Sequence, residues 1–163
     1  MRYTTAGAVN HFRGLLEADN GLGASVEALK DAYGEQGAAI PDTEAVFLKA
    51  PPELHERSGA LRYPVIHVYC ERLESSDSER LRRMAGRMRL VTEVRVSQDR
   101  LEGITERLHL WVDALRDVLE RNSGCAGGGM YLESGYEVTV DAVKKGGLHY
   151  LQSARIACWA LMN

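Results

Sequence analysis

Histidine and cysteine are the side chains of this chain best suited to hold a metal or attack a substrate. His11, His55, His67, His109 and His149 never fall as HxH or HExxH, and Cys70, Cys125 and Cys158 are widely spaced without a CxxC pair. Spacing therefore supports neither a zinc site nor a disulfide framework, and the thiols are expected to be reduced and structural. His67 and His109 are expected to be partly buried, hydrogen-bonded side chains. Gly124 and Gly127 to Gly129 invite comparison with a phosphate loop. However, no Lys-Ser or Lys-Thr follows them, and the run leads from a helix to a strand, whereas amides that cradle an anion open a helix. Cys125 sits in this link with no histidine nearby in sequence, and no serine lies in a nucleophile elbow. The expectation is no catalytic, cofactor-binding or metal-binding residue, hence not an enzyme.

Charge is more informative. Arg80, Arg82, Arg83, Arg87 and Arg89 fall within ten residues, a density able to grip an acidic surface or phosphate. Glu71, Glu74, Asp77 and Glu79 lie just upstream and would pair with them across a hairpin, so a plain solvated hairpin is the alternative to an interface. Trp159 shares a strand face with Arg155, which marks it as a candidate interface anchor. These five arginines and Trp159 are the expected interface residues. The acidic residues of the segment after 98 alternate with Arg107, Arg116 and Arg121, the pattern of a solvated helix face.

The elements that must position these residues follow from periodicity. Val9, Phe12, Leu15 and Leu16 repeat at helical spacing over 5 to 17, and 24 to 32 could add a helical turn or two. Residues 34 to 60 read as loop, with a short strand possible at Val46 to Leu48. YPVIHVYCERL over 63 to 73 is rich in β-branched and aromatic residues. In 87 to 97, Met88, Leu90, Val94 and Val96 alternate with Arg87, Arg89, Glu93 and Arg95, so one face meets a core and the other water. Ser76 and Glu79 suit a capped turn between these strands. Leu101, Ile104, Leu108, Trp111, Leu115 and Val118 form one stripe of a helix from about 98 to 121, capped by Ser97, with Asp117 and Arg121 paired on it. Strands follow at about 136 to 141 and 148 to 161, joined by a turn at Lys144-Lys145-Gly146-Gly147.

The chain has 163 residues, 45% hydrophobic and 26% charged, which is ordinary for one globular domain. A net charge of -3 gives no global reason to bind nucleic acid or an anionic membrane. No stretch approaches the roughly 20 apolar residues of a membrane span, and no signal sequence is expected. The expected fold is a single α+β domain over 1–163. It has a mostly antiparallel sheet of about four strands in two hairpins, with an N-terminal helix and a long central helix packed on one face.

This order resembles the tail terminator, or tail-completion, proteins of long-tailed bacteriophages and related neck proteins. The segments that carry the resemblance are AVNHFRGLLEADNGL, YPVIHVYCERL, RMRLVTEVRVSQDRLEGITERLHLWVDALRDVLERN, GYEVTVDAV and LHYLQSARIACWALM, about two thirds of the chain. The resemblance implies a virion protein of the tail or neck, assembled in the host cytoplasm, forming a homo-oligomeric ring of about six copies. Its partners would be the tail tube protein and the head connector, with DNA passing through the ring without sequence recognition. No cofactor and no membrane are implied. The hairpin arm with Arg80 to Arg89, the 34–60 loop and the Gly124 to Gly129 link are the expected contact regions.

Two other classes fit the same composition. One is an enzyme or small-molecule binder with His67, Tyr69 and Tyr136 converging on a pocket between sheet and helices. The other is a homodimeric interaction domain pairing through an edge strand. On the ring reading, reversing charge at Arg82 and Arg83 weakens assembly; native mass spectra of Arg82→Glu/Arg83→Glu that match wild type remove that arm from the interface.

Overall fold

A computed structural model describes residues 4–35, 44–52, 61–75 and 86–162. Among them the order is α1 (Thr5–Glu17), α2 (Leu22–Glu35), β1 (Val46–Leu48), β2 (Val65–Ser75), β3 (Gly86–Gln98), α3 (Ile104–Arg121), β4 (Gly124–Cys125), β5 (Met130–Val140), β6 (Lys144–Gly146) and β7 (His149–Met162). The strands form one mixed sheet in the order β1-β2-β3-β7-β5-β4, with β6 beside β7, curled into a half-barrel. This corrects the expected fold: the described strands number seven rather than about four, three helices replace two, and β1 runs parallel to β2. The extra strands are short. β1 is the short strand thought possible at Val46 to Leu48, whereas β4 and β6 have too few residues to show a period and exist because a neighbouring strand supplies their hydrogen bonds.

One side of the sheet carries Ile66 and Val68 of β2, Met88, Leu90, Val94 and Val96 of β3, and Ala154, Ile156, Cys158 and Ala160 of β7, all buried. α1 closes over this side with Ala8, Val9, Phe12 and Leu16, and α3 with Ile104, Leu108, Trp111, Leu115 and Val118. Thr4 caps α1, its Oγ1 accepting from the Gly7 amide at 3.0 Å.

α3 starts six residues later than its apolar stripe suggested. β3 runs on through Gln98, whose amide donates to the carbonyls of Arg100 and Glu102, and Gly103 turns the chain into the helix with φ 79°. Leu101, expected in the core stripe, therefore lies in the preceding turn and is 56% exposed, and Ser97 is a strand residue rather than a cap.

α2 is a full helix that leans on α3, and it takes up one of the two polar faces expected to be solvated. Ser25 Oγ donates to Asp117 at 2.6 Å, and Arg121 donates to Ser25 Oγ at 2.6 Å and to the Asn20 carbonyl at 2.7 Å. Tyr33 donates to Asp113, and burial together with that carboxylate pushes its phenol well above its usual range. On the other flank Tyr136 of β5 accepts from Arg116 and donates to Glu120, each at 2.8 Å.

The corner between α1 and α2 has no room for a side chain. A Cβ on Gly21 would lie 2.5 Å from the Leu16 carbonyl oxygen and 2.7 Å from that of Leu15. Gly21→Ala is expected to cost about 1–3 kcal/mol in urea unfolding, because backbone rather than a mobile side chain must yield. Thiol labelling checks the core independently. Cys125 is exposed, whereas burial pushes the Cys158 thiol up to about 12, so Cys125 reacts first and Cys158 only in denaturant.

Candidate interaction face

The side of the sheet away from the helices is polar, and its charges are paired. Strand alternation places Glu71 of β2, Arg87, Arg89, Glu93 and Arg95 of β3, Arg155 and Trp159 of β7, and Glu133 and Glu137 of β5 around this face. The Glu71 carboxylate sits between two arginines: Arg89 Nε is 3.0 Å away, and Arg155 donates to its other oxygen. Arg89 also reaches across β7 to Glu137 at 2.6 Å. Arg87 pairs with Glu133 at 2.7 Å and lies over the Trp159 ring, 4.2 Å from its centroid. Glu93, only 5% exposed, is bound by Arg95 at 2.9 Å. Four arginines thus meet four glutamates, and the pairs tie β2, β3, β7 and β5 together.

This face is less wet than the alternation of β3 suggests. Val65, Val91, Thr92 and His67 are all buried although only Thr92 points to the helices. His67 Nδ1 lies 2.8 Å from the Ala50 carbonyl, and burial raises the Tyr69 phenol while neighbouring Arg155 opposes that shift. In such a setting each exposed pair contributes little, on the order of 0–1 kcal/mol. What the lattice does is set the electrostatic character of the face: dense in charge, with each charge answered.

Of the residues expected at an interface, Arg87, Arg89 and Trp159 are brought together here, engaged with each other's neighbours inside one subunit. Arg80, Arg82 and Arg83, the proposed capped turn at Ser76 and Glu79, and most of the 34–60 loop lie outside the described residues. Glu74, expected to pair across the hairpin, instead pairs with Arg72 of its own strand at 3.0 Å. Sequence reasoning missed Glu133, Glu137 and Arg155 as partners. Their alternation was legible, but their meeting depends on β7 lying between β3 and β5.

His67, Tyr69 and Tyr136 do not converge. The first two lie on the charged face, whereas Tyr136 pairs with Cys158 on the helix side, beyond β3 and β7. His109 is exposed on α3. Among the described residues no cluster of three or more His, Cys, Asp or Glu could hold a metal, and no helix is long and apolar enough to cross a membrane. The Gly124 to Gly129 link forms β4 and a turn in which Gly127, Gly128 and Gly129 have positive φ, with the Ala126 carbonyl 3.0 Å from His11 Nε2.

On the other side a groove of about 670 Å³ runs between β1 and the α1–α2 corner. It is lined by Leu16, Leu22, Val26, Phe47 and Trp111 and by the charged Glu17, Asp19, Glu27, Lys30 and Glu44, with Lys30 paired to Glu27 at 2.6 Å.

No protein-family model matches the chain, and no curated protein matches it.

The paired face yields a direct test. Replacing Glu71 and Glu137 by Gln leaves Arg89 without a carboxylate and Arg155 with Glu93 alone, so Glu71→Gln/Glu137→Gln is expected to bind DNA more tightly than wild type. The salt dependence should steepen by about one to two in log–log slope, one unit per freed arginine. Equal retention of both proteins on a polyanion column at low salt contradicts the lattice.

Proposed function

We propose that this chain is a structural subunit of a long-tailed phage neck, forming a ring that terminates the tail tube and joins it to the head connector. The observation that carries the reading is the charge-balanced face of the sheet away from the helices. A passage for DNA must be polar enough to stay hydrated yet hold no net positive field, or the counterions released on binding would retain the polymer. Balanced arginine and glutamate pairs meet both conditions. The order of elements adds support: an N-terminal helix, a hairpin, a long helix and a closing hairpin follow each other as in the tail terminators that the sequence resembles.

In this reading no reaction is performed. Each subunit buries the helix side of its sheet, presents the paired face to the passage, and uses edges and loops for subunit contacts that close head-to-tail. The hairpin arm bearing Arg80 to Arg89 and the 34–60 segment are proposed to meet the tail tube and the connector.

Native mass spectra over a concentration series, with negative-stain imaging of the largest species, test the reading. Closed rings of about six copies with a central hole are expected. A wild-type species that stays at two copies or fewer both alone and on purified tail tubes overturns it.

A further inference from the structure

One edge of the sheet is left open. The Asp141 amide donates to the Ser153 carbonyl at 2.9 Å, in register with Val140↔Ala154 and Val138↔Ile156. In an antiparallel ladder both backbone groups of a residue point the same way and alternate along the strand. Glu137, Thr139 and Asp141 therefore face β7, and the N–H and C=O groups of Tyr136, Val138 and Val140 face outward. β4 pairs only with Tyr131 and Leu132, so the outward groups at 136, 138 and 140 have no strand partner among the described residues. Nothing blunts this edge: 136–140 contains no proline, no lysine and no bulge. Val138 and Val140 are 36% and 43% exposed on the helix side, where α3 does not cover them.

The opposite edge is complementary in phase and direction, and is apolar at Phe47. Val46 donates to the Pro64 carbonyl at 3.1 Å, so alternation turns the backbone groups of Phe47, and of Ala45 before it, away from β2. Phe47 pairs with Ile66, which puts its side chain on the helix side, in the groove. Residues with outward backbone groups thus carry helix-side side chains on both edges, the condition for one sheet to continue into another without a register slip. Across the sheet β5 runs opposite to β1, so copies repeated about an axis near the strand direction meet antiparallel.

We infer that β5 of one copy adds, antiparallel, to the outer edge of β1, unpaired among the described residues, in the next, seating Val138 and Val140 in the groove beside Phe47 and Val26. With Val138 opposite Phe47, Val140 faces Ala45 and Tyr136 faces Lys49. By the same register Asp141 falls opposite Glu44, so the contact rests on backbone bonds and apolar side chains rather than on charge. A β5-to-β5 dimer would leave both β1 and the groove unfilled, whereas the head-to-tail contact uses each edge once. The contact deepens the ring reading, resting on it for closure alone.

Light scattering on the full chain over a concentration series tests the pairing. Val138→Pro removes an outward amide without touching the β7 ladder, Val138→Lys places a charge where the groove is apolar, and Ala45→Pro blocks the β1 edge. Each variant, folded by circular dichroism, is expected to fall to the 18.1 kDa monomer. An equimolar mixture of Val138→Pro and Ala45→Pro has one usable interface and is expected to double that mass and stop. Rings that survive both Val138 variants overturn the pairing and leave the ring reading standing. Open chains that grow with concentration and vanish in Val138→Pro uphold the pairing and remove the closed ring. Assemblies broken by the Val138 variants but not by Ala45→Pro overturn the head-to-tail form in favour of β5-to-β5 contact, and a wild-type monomer at every concentration overturns the pairing outright.

Discussion

The pairing of β3 with β7 is the constraint on which everything else depends. Its register runs unbroken from Gly86↔Met162 to Gln98↔Tyr150 and joins two hairpins from distant parts of the chain into one sheet. Without it, β2–β3 and β5–β7 would each be a two-stranded ribbon, marginal in water, and α3 would have no surface wide enough for its apolar stripe. The same ladder puts Met88, Leu90 and Val94 next to Ala160, Cys158 and Ala154. Large side chains of β3 thereby meet small ones of β7, leaving room for Leu108, Trp111 and Leu115 to descend between them.

The ladder creates the charged face as well. β7 presents small or slender groups on that side at Ser153 and Ala157, so Arg89 can cross over it to Glu137 while also holding Glu71. The face is therefore a product of strand order: on an isolated β2–β3 hairpin Arg87 and Arg89 would lack Glu133 and Glu137 of β5. Electrostatic neutrality of the face and integrity of the sheet are one property, since slipping β7 by one residue would send Arg155 and Trp159 to the core side.

What was legible in the sequence were features that depend on local period. The α1 stripe at Val9, Phe12 and Leu16 and the alternation of Met88, Leu90, Val94 and Val96 are visible because a single buried surface selects them. The start of α3 was obscured because Leu101 happens to continue the stripe, while the signal for the break, Gly103 in a left-handed conformation, is an ordinary glycine in the sequence. α2 was shortened by Gly23 and Gly34, which read as breakers yet have open space around them in the helix. The polar flanks of α3 looked like solvated surface because a carboxylate that binds Ser25 or Tyr33 from a distant helix has the same local spacing as one facing water. The site was half legible: Arg87, Arg89 and Trp159 were singled out, but their partners Glu133, Glu137 and Arg155 required knowing which strands are neighbours.

The placement of β7 also orders events during synthesis. Although made last of the described elements, it occupies the middle of the sheet, between β3 and β5. Until residues 149–162 leave the ribosome, β3 keeps an unpaired edge and the α3 stripe has only half its floor. The emerging chain must therefore hold Met88 to Val96 without their β7 neighbours for the whole time that α3 and β5 are being made. A helix of that amphipathicity is able to fold back on the waiting strand and shelter it. This makes α3 a temporary cover for β3 before it becomes part of the permanent core.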